Sequence, residues 1–106
     1  MNQGTQDVSA SITAAGTTQA TATELINGIN MVGTVASGAG VALSPNATPG
    51  SFQLVYNGGA NPLTVYPPSG AKINSLATNS GMVLAVNTSC EFWFASITQV
   101  VGNLSA

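Results

Sequence analysis

FQLVYNGGANPLTVY, residues 52–66, is the stretch on which the reading of the fold turns. Phe52, Leu54 and Tyr56 alternate with Gln53 and Val55. Leu63 and Val65 alternate with Thr64 and Tyr66. Alternation with a period of two marks a strand, because successive side chains point to opposite faces of a sheet. The joining segment Asn57–Pro62 holds Gly58, Gly59, Asn61 and Pro62, all turn formers. The spacing predicts a β-hairpin over 52–66.

The same period continues on both sides. Ile29, Met31 and Val35 lie on one face of a run whose other face carries Asn30, Val32 and Thr34. Ser37-Gly38-Ala39-Gly40 predicts a turn, Val41 and Leu43 open a short strand, and Pro45–Gly50 reads as a loop. Downstream, Lys72–Leu76 is a further short strand or loop segment. Met82–Val86 is apolar on both faces, which predicts a central, covered strand. Ser89–Ala95 places Cys90, Phe92 and Phe94 on one face, with Glu91 and Trp93 opposite, and Ile97, Val100 and Val101 belong to a last strand. Thr17–Gly28 is the one helical candidate, with Thr21 and Glu24 at capping-box spacing. Its threonines disfavour helix, so a single turn is expected there. The sum is an all-β domain of about seven or eight strands, an antiparallel β-sandwich or barrel of jelly-roll type. Residues 12–106 form that single domain, and residues 1–11 are expected to be a flexible arm.

Composition limits function. Charged residues are 4% of 106 residues, against about 25% in ordinary domains. The four are Asp7, Glu24, Lys72 and Glu91. A single basic side chain cannot make a phosphate-binding footprint, so nucleic acid is not an expected partner. An electrostatic membrane anchor is excluded on the same ground. The most apolar window, 29–43, is too short to span a bilayer and is broken by glycines. The N-terminus, MNQGTQDVSASITAAG, lacks the basic and apolar regions of a signal peptide, and synthesis and release in the cytoplasm are expected. A surface so poor in charge risks aggregation as a free monomer. Burial in an oligomer or on a large partner relieves that risk, while solvation by Ser, Thr and Asn is the plainer reading.

The search for chemistry returns little. There is no histidine, so histidine triads and zinc–histidine sites cannot be built. Cys90 has no base beside it in sequence and alternates with two phenylalanines, which reads as a buried structural thiol. Glu24 and Glu91 are the only carboxylates outside the arm, and nothing in their spacing marks a facing pair of the kind glycosidases use. Calcium-type oxygen clusters and phosphate loops are missing too. No catalytic, cofactor or metal site is expected, and the protein is read as a non-enzyme without cofactors. Contact residues are a different matter. Tyr66 and Trp93 fall opposite the apolar sets of their strands. They serve a protein interface, a sugar-stacking platform, or a second covered face. Val8 and Ile12, in and beside the arm, are candidates for pairing with a neighbouring surface.

Three stretches, TTQATATELINGIN (17–30), VASGAGVALSP (35–45) and GANPLTVYPPSGAKINSL (59–76), resemble small structural proteins of tailed bacteriophages. The likeness runs from Thr17 to Asn74, with the aromatic strand Cys90–Phe94 in the expected place. It departs at Val41–Pro45, which has an extra residue before the proline. It is a likeness of strands and turns, with no catalytic signature. The resemblance implies a virion component, either a head decoration (cement) protein or a β-rich module of a fibre or spike. It also implies a homo-oligomer, a trimer first, and the major capsid protein as partner at the capsid surface.

Overall fold

The computed structural model describes residues 8–45 and 48–104. Among them there is no helix, and the strands form two mixed sheets. In chain order they are β1 (Val8–Thr13), β2 (Thr23–Glu24), β3 (Ile29–Thr34), β4 (Gly40–Ala42) and β5 (Phe52–Asn57). They continue as β6 (Leu63–Tyr66), β7 (Lys72–Ile73), β8 (Met82–Leu84), β9 (Ser89–Phe94) and β10 (Gln99–Leu104). The six-stranded sheet has the order β1-β3-β5-β9-β10-β7, and the four-stranded sheet β2-β4-β6-β8.

Through β6 the chain alternates between sheets. Odd strands stack parallel in one, as Val8 pairs with Ile29 and Ile29 with Leu54. Even strands stack parallel in the other, as Thr23 pairs with Val41 and Val41 with Val65. The architecture is therefore solenoid-like stacking, and the all-antiparallel sandwich or barrel expected from the sequence is corrected on this point. Among the described residues, antiparallel pairing of named strands enters at the C-terminal end, where β8 pairs with β6, β9 with β5, and β10 with β9, besides an isolated antiparallel bridge between Ala15 and Gly40.

The expected hairpin over 52–66 is likewise corrected, because β5 and β6 lie in different sheets. The cause is the corner at Asn57. Its buried amide donates to the carbonyls of Asn61 and Leu84, at 3.0 and 3.1 Å, and its Oδ1 accepts from the Gly59 amide at 3.0 Å. Gly58 donates back to Val32 at 2.8 Å, and Asn61 donates to the Val35 carbonyl at 2.9 Å. The turn residues thus carry the chain across the core instead of folding it back on β5.

Other expectations move by smaller amounts. Thr17–Gly28 contains one turn, in which the Ala22 amide bonds the Thr18 carbonyl at 3.0 Å, and then enters β2. Met82–Val86 is not central: β8 pairs only with β6, forms an edge, and leaves Val83 60% exposed. The boundary expected at residue 12 falls inside β1, so Val8–Ser11 belong to the large sheet, while residues 1–7 lie outside the described residues. Lys72–Ile73 is a strand, parallel to β10.

The core lies between the sheets. Phe92, Phe94, Leu25, Leu43, Leu63, Ile73 and Leu84 are its largest fully buried side chains, joined by valines from both layers. Cys90, Phe92 and Phe94 occupy the inward face of β9, as their alternation predicts.

Candidate interaction face

The inward residues of β3 and β5 are the more polar ones. Asn30, Gln53 and Asn57 are buried beside Val32 and Val55. Burying an amide is costly unless its hydrogen bonds are made. Here they fasten the chain where it passes between sheets. Gln53 Nε2 donates to the carbonyls of Leu25 and Asn27 at 3.2 and 3.1 Å, and its Oε1 accepts from the Ser44 amide at 2.7 Å. Asn30 donates to Asn27 and Leu54 carbonyls at 2.9 and 3.2 Å, while its Oδ1 has no hydrogen-bond partner among the described residues.

The consequence appears on the other side of the sheet. With the amides inward, Ile29 and Met31 of β3 and Phe52, Leu54 and Tyr56 of β5 must point outward. Cross-strand pairing assembles them into rows. One row is Phe52, Trp93 and Val101. The next is Val8, Ile29, Leu54 and Glu91, and the third is Met31 with Tyr56. Phe52 and Val8 are 54% and 53% exposed, and Met31 is 37% exposed. A groove of about 190 Å³ runs through this face, lined by Gly28, Ile29, Phe52, Leu54 and Glu91. A contiguous apolar face of this kind on a sheet is the surface feature that marks an interaction site.

Of the four contact candidates from the sequence, Val8 and Trp93 lie on this face. Ile12 does not: register shifts on either side of it turn it toward Val32, where it packs, half-buried, against the core. Tyr66 belongs to the small sheet and is engaged within the chain. Its hydroxyl donates to the Thr17 carbonyl at 3.0 Å. Its ring lies so close over Gly40 and Gly81 that a Cβ at either would approach it to 2.9 and 3.1 Å. Sequence reasoning missed Phe52, Ile29, Met31 and Leu54 as surface residues. Alternation offered no signal for this, since Gln53 and Asn57 on the opposite face of β5 read as the solvent side.

A second hollow, of about 250 Å³, opens beside the small sheet between Gln19, Glu24, Pro67 and Pro68. Gln19 Nε2 crosses its floor to the Pro67 carbonyl at 2.7 Å. Glu24 and Glu91 stand on different sheets and line different hollows. Among the described residues no three of His, Cys, Asp and Glu gather as metal ligands would.

Cys90 is fully buried. Burial, with a smaller contribution from the Glu91 carboxylate, pushes its thiol from 9.0 up to about 11, against a partial lowering by the Asn103 backbone. The nucleophile is the thiolate, so the native thiol is inert. A thiol reagent at pH 8 is expected to label the protein only after denaturant is added. The pH dependence has a definite sign. The folded state holds the thiol proton more tightly than the unfolded state, so this contribution to stability is complete below pH 9 and is lost as pH rises through about 11. Denaturation midpoints measured from pH 7 to 11 should fall over that window, and less steeply in Cys90→Ala.

The fold and the face define an all-β protein of two stacked, mixed sheets whose main surface feature is an uncovered apolar sheet face. No known protein family, curated protein or solved structure matches this chain.

Proposed function

We propose that this is a non-enzymatic structural protein of a bacteriophage virion, a capsid decoration protein that holds neighbouring capsomers together by non-covalent contacts. The observation that carries the assembly part of this reading is the outward set of β3 and β5. These strands bury Asn30, Gln53 and Asn57 and leave Met31 and Phe52 exposed. That arrangement is costly in an isolated chain and is relieved when a protein surface covers the face. A 4% content of charged residues suits a chain with much of its surface in contact. The phage assignment rests on the motif resemblance between Thr17 and Asn74. The partners in this reading are the major capsid protein and further copies of the chain, a trimer being favoured.

One observation favours a second reading, a module of a tail fibre or spike. The parallel stacks end in β1 and β2, which have no neighbour on their outer edge among the described residues. A stack that ends in open edges can be extended by another such unit.

Counting the protein in purified virions by quantitative mass spectrometry tests the reading. A copy number comparable to that of the major capsid protein is the expected result. A handful of copies per particle replaces decoration with the fibre or spike reading. Absence from the particle overturns both, and glycan binding lost on Trp93→Ala would then assign the Phe52–Trp93 row to sugar stacking.

A further inference from the structure

The apolar groove on the large sheet has a match elsewhere on the same molecule. Ile97, at the tip of the β9–β10 turn, is 76% exposed, second among the large apolar side chains of the described residues after Ile26 at 77%. Its neighbours Ser96 and Thr98 carry no charge. Beside the turn stands Lys72, whose amide donates to the Thr98 carbonyl at 3.0 Å and whose Cα pairs with Gln99 in the sheet. Lys72 is the only basic residue of the chain. The groove presents the complement: aliphatic and aromatic walls from Ile29, Leu54 and Phe52, and the Glu91 carboxylate at its edge.

We infer that the groove lined by Ile29, Phe52, Leu54 and Glu91 takes the Ile97 turn of a second copy of this chain, with Lys72 of that copy paired to Glu91. The inference rests on the self-assembly part of the function proposed above and is independent of the virion part. Three considerations select a second copy as occupant.

The first is charge. Lys72 and Glu91 form no ion pair with each other or with any described residue, and each lies next to one half of the apolar match. The second is volume. A cavity of about 150 Å³ lined by aliphatic and aromatic groups takes a six-carbon ring, so a groove of about 190 Å³ has room for the four-carbon side chain of isoleucine. The third is area. Six strands about 4.8 Å apart, with about 3.3 Å per residue along them, make a face of roughly 500 Å². A copy seated by its turn in the groove and covering the rest of the face buries up to about 1,000 Å² counting both surfaces, the lower bound for a specific interface. Knob and groove occupy different parts of the surface, so two copies can exchange them reciprocally in a two-fold dimer or pass them on head to tail. The head-to-tail arrangement closes into a ring, such as the trimer favoured above, or runs on as a filament.

Sedimentation of the purified protein from 1 to about 200 µM tests this directly. The wild type is expected to associate, and Ile97→Asp to sediment as a monomer throughout. Lys72→Glu and Glu91→Lys are each expected to weaken association about tenfold or more, and the double exchange to restore most of the loss, since close charge pairs across interfaces couple by this much. All three side chains are exposed, and the denaturation midpoint of each variant verifies that it is folded. A wild type that stays monomeric overturns the inference, as does an oligomer indifferent to Ile97→Asp. An oligomer weakened by both single charge reversals and not restored by the double removes the Lys72–Glu91 pairing. None of these results depends on whether the protein is found in virions, so failure here and failure of the virion count are separate outcomes.

Discussion

Asn57→Ala is expected to destabilise the protein by roughly 3–5 kcal/mol. Asn57 is fully buried at the corner where the chain leaves the large sheet for the small one. Alanine removes three hydrogen bonds at once, two donated to the carbonyls of Asn61 and Leu84 and one accepted from the Gly59 amide. What remains is worse than the loss of three average bonds. The backbone groups stay buried with no replacement partner, and each such group costs about 1–3 kcal/mol. A domain of this size has a total stability of only about 5–15 kcal/mol, so the variant sits near the edge of folding. Asn61→Ala is the internal comparison. Asn61 is half-buried and donates one bond, to the Val35 carbonyl at 2.9 Å, so its loss is expected to cost about 1 kcal/mol. Urea denaturation of both variants measures the difference. If Asn57→Ala loses no more than Asn61→Ala, the side chain is not what holds the corner.

The same residue shows what could and could not be read in advance. The strands themselves were legible, since Cys90–Phe94 and Leu63–Tyr66 alternate strictly and their inward sets are the ones buried. Their pairing was not. Asn57–Pro62 has the composition of a hairpin loop, and only the folded geometry shows Asn57 turning its amide across the corner. The parallel pairing of Val8 with Ile29, and of Ile29 with Leu54, joins segments separated by a passage through the other sheet, and local spacing carries no signal for that. The candidate face was half legible. Val8 is a candidate as part of the arm expected to pair with a neighbouring surface, and Trp93 follows from alternation. Phe52 and Leu54 do not, because on β5 hydrophobicity alone argues for burying them and exposing Gln53. Hydrogen-bond demand at the corners decides the opposite way. Ile97 looked like part of a strand and proves to be the tip of a turn.

Gly16→Ala is expected to cost about 3 kcal/mol or more. The reasoning separates two costs that are usually confounded. Gly16 and Gly38 have nearly the same left-handed backbone, φ of 77° and 79°. An L side chain in that region costs roughly 1–2 kcal/mol at either position. Their surroundings differ. At Gly38 the nearest atom to an added Cβ is Thr17 Cγ2, at 3.8 Å, an ordinary contact. At Gly16 the added Cβ would overlap the backbone carbonyl of Thr21, which cannot rotate away as a side chain could. The 17–21 turn would have to move as a unit. That turn supplies the Thr17 carbonyl to the Tyr66 hydroxyl and the Gln19 amide to the Pro67 carbonyl, so its displacement breaks both bonds to the small sheet and the segment that follows it. Gly33→Ala completes the series: it has no positive φ and no atom within 4 Å of an added Cβ, so it is expected to be neutral or to stabilise slightly through the unfolded chain. The predicted order of loss is Gly16 well above Gly38, and Gly38 above Gly33, measured as urea midpoints. Equal losses at Gly16 and Gly38 would mean that the backbone conformation alone sets the cost and that the 17–21 turn is free to yield. The Tyr66–Thr17 and Gln19–Pro67 hydrogen bonds would then not hold the turn in place.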